Sequence, residues 1–383
     1  MGTHDSDFVV EGNVLVAYRG SEAHVTIPEG VTAIGDKAFK NCDSLVEISL
    51  PDGLTSIGDL AFSFCSRLET ITLPDSVRHI GSFAFEMCAA LADITIPKNV
   101  REISSYTFFC CRSLRLAALP QGLRRIGAMA FKDCISLSHI ELPESLQTIE
   151  YGAFEMTGLR SLHIPATVNS MGRWKGVDSH ASLANAFSCP NLERIVVDEL
   201  NDRFDSREGC NAVIWTRQNA LALGCSTTIV PDSVTTIGEG AFSGLCGLKR
   251  MAIPDSVTRI DRTAFADCKH LEQVTFGKRL KVIGDGAFER CTNLHDIELP
   301  ENLERLGESC FSHCENLRSI SIPDSVTRAG IFAFSGCTSL ERVRVGKGLL
   351  ELYPRVFIDC PNLREIIVDP ENPRLRSRDL RQY

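Results

Sequence analysis

This 383-residue chain is poor in the features that usually declare a function. No apolar run approaches the ~18 residues that cross a bilayer as a helix, so no membrane insertion is expected. No Gly-x-Ser-x-Gly elbow, phosphate-binding loop, His-Glu-x-x-His pair or EF-hand loop occurs. Without such motifs the expectation is no catalytic site, no cofactor and no metal site. Positive charge is the minority, with 40 basic against 49 acidic residues and a net charge of −9. That disfavours nucleic acid as a partner, because binding it draws on an excess of Lys and Arg. The first residues, Met1-Gly-Thr-His-Asp-Ser-Asp7, lack the basic and apolar regions of a secretion signal. A cytoplasmic protein is expected if Met1 is the native start, and a cell-surface or secreted one if an export signal was trimmed.

Phenylalanine and cysteine are abundant, and both are ordered along the chain. The stretch Gly35-Asp-Lys-Ala38-Phe39-Lys-Asn-Cys42-Asp-Ser-Leu45 returns at Gly58 to Leu68 and again at Gly81 to Leu91, an interval of 23 residues. Thirteen such units open at Val31, Leu54, Val77, Val100, Leu123, Leu146, Val168, Val234, Val257, Leu280, Leu303, Val326 and Leu349. Thirteen of the 20 Phe residues occupy one column, from Phe39 to Phe357. Self-similarity at this period marks a solenoid, in which each unit buries its apolar side only against its neighbours. Stacked at ~4.8 Å per unit, the rings would form a continuous ladder.

Within a unit, Leu45-x-x-Ile48-x-Leu50 predicts a short parallel strand with those three side chains inward, and 54–57 a second short strand. Pro51, Pro74 and Pro97 end the strands because proline gives no N–H to a ladder. The Ala-Phe-x-x-Cys piece is too short for a stable helix and is expected to make about one helical turn. The Gly after Ile suggests a bend that needs unusual backbone angles or close approach.

The map that follows has a capping hairpin in 1–30, with Glu11-Gly12-Asn13 at its turn. Repeats one to seven run over 31–197 with a loop insertion at 173–185. A hairpin insertion fills 198–233, repeats eight to thirteen run over 234–368, and a tail closes the chain at 369–383. The tail from Ile366 resembles the lead-in to the inner hairpin from Ile195, so the chain ends partway through the same motif. Trp215, in a hairpin strand, is expected in the core.

The thirteen units resemble the BspA-like, or Treponema-type, leucine-rich repeat family over about residues 31–368. The resemblance implies a repeat solenoid: a right-handed leucine-rich-repeat superhelix, β-rich, with two short parallel strands per unit. It also implies a non-enzymatic binding role, and many members are bacterial surface proteins implicated in adhesion. The expected function is a protein–protein interaction scaffold using the concave face and the 173–185 loop. The alternative is a bacterial cell-surface adhesin that binds host protein or glycan. The partner is expected to be a protein, and the chain itself a monomer.

Sixteen cysteines are present, and eleven share one column. A 23-residue spacing gives parallel side chains, unlike the short Cys-x₂-Cys spacing of zinc sites. Parallel Cβ atoms at the stacking distance also exceed the ~3.5–4.5 Å of a disulfide. A buried thiol ladder is therefore expected.

Contact residues are sought on the outward strand positions. Glu141 and His163 fall in one outward column of adjacent repeats, with His139 two residues before Glu141. They read either as a ligand spot or as a solvated cross-strand charge pair. Leu116 and Ala118 open a small apolar patch, and Arg250, Glu298 and Arg344 are charged outward residues further along. Arg78, His79, Arg101, Arg124 and Arg125 cluster on the other wall, as a solvated face or as a dock for an acidic partner. Trp174, in the 173–185 loop, is either a contact residue or a cover over the break in the repeats.

Overall fold

Each repeat forms one coil with three sides, and hydrogen bonds tie these sides to the neighbouring coils along most of each run of repeats. A computed structural model describes residues 7–173, 186–353 and 355–376. The chain divides into two units. One holds the residues up to 173 with 186–189 and 197–202, and the other holds 190–196 and 203–376.

The first side carries the two-residue strands of the L/V-x-x-I-G motif. In the first unit Ala33–Ile34, Ser56–Ile57 and His79–Ile80 pair in parallel, residue for residue at the 23-residue spacing. In the second unit the same side runs from Thr236–Ile237 through Arg259–Ile260, Val282–Ile283 and Arg305–Leu306 to Arg328–Ala329. The second side carries the Leu-x-x-Ile-x-Leu strands, such as Glu47–Ser49 and Arg250–Ala252, again parallel to their neighbours. Alternation sends Ile48 and Met251 inward and their flanking residues outward. Leu45 and Ile48 are buried, whereas Leu50 at the strand's end is only half-buried.

The third side differs from the expected helical turn. The Ala-Phe-x-x-Cys segments contain no α-helix; they are successive tight turns in which every second residue reaches across to the next coil. Leu60, Phe62 and Phe64 donate their N–H groups to the carbonyls of Ser82, Ala84 and Glu86 at 2.8–2.9 Å. Gly240, Phe242 and Gly244 do the same to Arg262, Ala264 and Ala266 in the second unit. Aiming these groups sideways takes left-handed residues on either side of the Phe. Leu60 has φ 58° and Phe64 φ 63°, and the pattern returns at Phe83 and Met87. A non-glycine residue there costs about 1–2 kcal/mol, and the inter-coil hydrogen bond offsets a comparable amount. The glycine after Ile is needed for a different reason. Gly58 lies outside the left-handed region, but a Cβ on it would stand 2.7 Å from the Asp36 nitrogen.

The core between the three sides is the Phe column. In the first unit neighbouring rings from Phe39 to Phe187 lie 5.1–5.5 Å apart at interplanar angles of 3–16°. Tyr18 of the amino-terminal hairpin begins this stack, 5.0 Å from Phe39. In the second unit the rings from Phe242 to Phe357 lie 4.8–5.7 Å apart. Trp215 is not core as expected. It is half-buried, with its ring 4.8 Å from Phe204 at the side of the inner hairpin.

All 16 thiols are free, and the Cys column has a specific task. The Phe39 carbonyl accepts the Cys42 N–H at 3.1 Å and the Cys65 thiol of the next coil at 3.1 Å. The thiols of Cys88, Cys111 and Cys134 reach Phe62, Phe85 and Phe108 in the same way, at 3.1–3.2 Å. Cys268 to Cys360 repeat this contact in the second unit. A thiol is small enough for the dry interior and still satisfies a buried lone pair. Where the column holds Thr157, its hydroxyl donates to the Phe154 carbonyl of its own coil at 2.9 Å.

Burial pushes these thiols up, Cys360 to about 11 and Cys189 and Cys268 to about 12. Cys88, Cys111 and Cys134 shift in the same direction for the same reason. An unfolded thiol titrates near pH ~8.5. The stabilisation is therefore complete below that value and is lost as the pH rises through it towards the folded values. The expected loss is about 1.4 kcal/mol per pH unit for each fully buried thiol, and less for the part-buried Cys360. Denaturation midpoints in the presence of reductant should fall steeply between about pH 8.5 and 10, and Cys88→Ala should make that slope shallower. An unchanged midpoint over that range would contradict the buried-thiol account. Phe131→Ala should cost roughly 3–5 kcal/mol in chemical denaturation, since the ring touches one neighbour on each side and the gap cannot close.

Candidate functional site

The exposed positions of the Leu-x-x-Ile-x-Leu side are the surface on which the chain varies while its scaffold repeats. In the first unit Leu116 pairs with Asp93 and Ala118 with Thr95, in the strand Leu116–Ala118. Alternation buries Ala117 and turns Leu116 out, leaving it 52% exposed. The ladder ends there, because no strand forms over 137–143. The break coincides with a shortened neighbour. Phe154 to Leu159 is one residue shorter than Phe39 to Leu45, and the backbone at Gly158 draws in so far that a Cβ would meet the Ile135 oxygen at 2.5 Å.

Beside the broken ladder lies an open depression of ≈ 340 Å³, lined among others by Leu116, Ala118, Gln121, His139, Glu141 and Glu144. The His139 Nε2 stands 3.7 Å from Glu141 Oε1, and both side chains are well exposed. The structure thus joins Leu116, His139 and Glu141 in one place. The ion pair of Glu141 is with His139, and among the described residues no hydrogen bond or ion pair links it to His163. His163 sits exposed in the strand Ser161–Ile164. No group of three or more His, Cys, Asp or Glu forms a metal-sized site among the described residues.

The remaining candidates lie elsewhere. Arg250 is exposed opposite Gln273, and Glu298 is exposed just past the strand Asp296–Ile297. Arg344 pairs with Ser321 and Ile367 and lines a second depression of ≈ 240 Å³ with Asp324 and Asp369. Trp174 and the rest of the loop insertion after Arg173 lie outside the described residues.

The arginine cluster on the other wall is partly neutralised. The Arg125 guanidinium bonds Glu102 and also Glu150, at 2.7 Å to Oε1. Glu150 is 5% exposed and accepts the Ala128 N–H at 3.1 Å as well. Arg125 therefore ties together the wall of three successive coils. Reasoning from the motif missed Glu150, which stands where most of the other repeats carry Gly. It also missed Gln121 and Glu144 at the depression. The 22-residue step from Leu146 to Val168 was the signal in the sequence that the strand ladder would break there.

No helix among the described residues is long and apolar enough to cross a membrane. No match is found among curated protein sequences. Among solved structures, a leucine rich cell surface protein from Faecalibacterium prausnitzii A2-165 is similar at 30% identity and a TM-score of 0.72, covering 96% of this chain and 94% of that one. A leucine-rich repeat protein from Bacteroides ovatus ATCC 8483 is similar at 26% identity and a TM-score of 0.60, covering 92% of this chain and 81% of that one. The family model of the BspA type leucine rich repeat region matches over residues 17–117, 57–175, 113–206, 222–328 and 259–378. With that match running along nearly the whole chain, and with the Phe, Cys and strand columns in the places described above, the protein belongs to the BspA type leucine-rich repeat family.

Proposed function

We propose that this protein is a non-enzymatic scaffold that binds another protein through the outward strand face of its first unit. The observation that carries this reading is the depression beside Leu116. A large apolar side chain, 52% exposed, stands on a rigid strand with His139 and Glu141 at its rim. Apolar anchors ringed by polar groups are the usual make-up of a protein-binding hot spot. The strand Leu116–Ala118 is paired with Asp93–Thr95 of the coil before it, which preorganises the surface and limits the ordering entropy lost on binding. In this reading residues 1–30 cap the first coil, the two runs of repeats at 31–197 and 234–368 carry the contact surfaces, and 198–233 is an inserted hairpin. Arg250, Glu298, Arg344, His163 and the Trp174 loop are secondary contacts.

A second reading is a bacterial cell-surface adhesin. It is favoured by the similarity to the Faecalibacterium protein, which is described as a cell surface protein and aligns over nearly the full length of both chains. Surface labelling of intact native cells separates the two locations, since only an exposed protein takes up an impermeant reagent.

Binding is tested by capture from the native source, with cross-linking to map contacts. Leu116→Asp should lower recovery of the specific partner at least about tenfold, the effect of losing one hot-spot residue worth about 1.4 kcal/mol or more. Trp174→Ala and Arg250→Glu should have smaller effects. Equal recovery with wild type and Leu116→Asp, or cross-links confined to other faces, would refute this choice of surface.

A further inference from the structure

The last coil of the chain has a near twin inside it. Cys360-Pro-Asn-Leu-Arg-Glu-Ile-Ile-Val-Asp-Pro-Glu-Asn372 and Cys189-Pro-Asn-Leu-Glu-Arg-Ile-Val-Val-Asp-Glu-Leu-Asn201 agree at eight of thirteen positions. The two asparagines are buried and act alike. Asn201 Nδ2 donates to the Pro165 and Val168 carbonyls at 3.0 and 2.9 Å. Asn372 Nδ2 donates to those of Gly346 and Leu349 at the same two distances.

What covers the two coils differs. After the inner one, Phe204–Asp205 pairs antiparallel with Ala212–Trp215, which pairs with Ala220–Gly224. The segment after this hairpin returns to the coil. The Ser226 N–H donates to the Leu192 carbonyl at 3.0 Å, and the Thr227 hydroxyl to that of Glu193. Leu192 and Ile195 are each 1% exposed. At the same positions of the last coil, Leu363 and Ile366 remain half-exposed. Its strand, Glu365–Val368, is the end strand of its sheet among the described residues.

The amino-terminal hairpin supplies the counterpart. Phe8–Glu11 and Val14–Tyr18 pair with a slip between Val9 and Val10, as the inner hairpin slips between Val213 and Ile214. Val14 and Leu15 lie parallel to Ala33 and Ile34, just as Ala220 and Leu221 lie parallel to Thr236 and Ile237. Ile214 is fully buried, yet Val10 at the equivalent position is 40% exposed. The edge that Phe204–Asp205 takes on the inner hairpin has no strand on it at Phe8–Glu11 among the described residues.

We propose that the 360–372 coil of one copy receives the 8–18 hairpin of a second copy, so that copies associate head to tail. Leu375-Arg376 then stands where Phe204-Asp205 stands and adds to the Phe8–Glu11 edge. The Ala23 N–H takes the place of the Ser226 N–H against the Leu363 carbonyl. The joining surfaces are different, so the contact is heterologous and adds copies without closing on a symmetric pair.

Sedimentation velocity tests this, from about 1 to about 200 μM, a span over which mass action reveals association at micromolar affinity. The wild-type weight-average mass should climb beyond the 42.1 kDa of one chain and continue past two chains. Val10→Lys blocks the head and Ile366→Lys the tail. Each variant alone should stay at one chain, and an equimolar mixture should form a two-chain species and nothing larger. If Ile366→Lys lowers the melting temperature, Leu375→Asp replaces it, since that residue lies beyond the coil. A wild-type protein that stays at one chain throughout would overturn the proposal. So would a two-chain limit for wild type, or self-association of either blocked variant.

Discussion

The Phe carbonyl is the group on which the rest of each coil depends. It lies in an interior closed to solvent, where an unsatisfied acceptor costs about 1–3 kcal/mol. Two donors reach it: the N–H three residues on, and the thiol of the following coil. The first closes a tight turn and the second ties the turn to its neighbour. The Phe ring stacks on the next ring in the same direction, so the apolar and polar bonds of the core both run along the stack. A coil therefore has little reason to hold its shape without the coils beside it.

That constraint explains why the third side tolerates so many left-handed residues. A helical turn would satisfy the segment internally and leave nothing for the neighbour. Left-handed residues at Leu60 and Phe64, on either side of Phe62, turn the N–H groups of all three towards the next coil. With the coils tied to one another mainly through backbone and buried side chains, many side chains facing solvent are released from a role in the fold. Leu116, His139 and Arg344 can vary there at little cost to stability, which is how one scaffold can present many surfaces.

Where the repeat shortens, the same physics creates relief. The coil of 146–167 lacks one residue, its corner is drawn in at Gly158, and the strand expected at 137–143 loses its partners. The depression beside Leu116 lies along that broken ladder. Glu150 replaces the glycine of the motif in the same coil, and its buried carboxylate is held by Arg125 and the Ala128 N–H.

The amino-acid sequence alone determined the period, the buried Phe column, the inward Ile and Leu positions, and the two places where the rhythm stops. Those follow from which residues are apolar and how far apart they recur, and such spacing survives without coordinates. The tertiary structure decided the rest: left-handed turns in place of a helical one, thiols as donors to the preceding coil, a half-exposed Trp215, and Leu116 brought beside His139 and Glu141. The first two depend on a backbone group one coil away, about 23 residues distant along the chain, and no local pattern of side chains records where that group points.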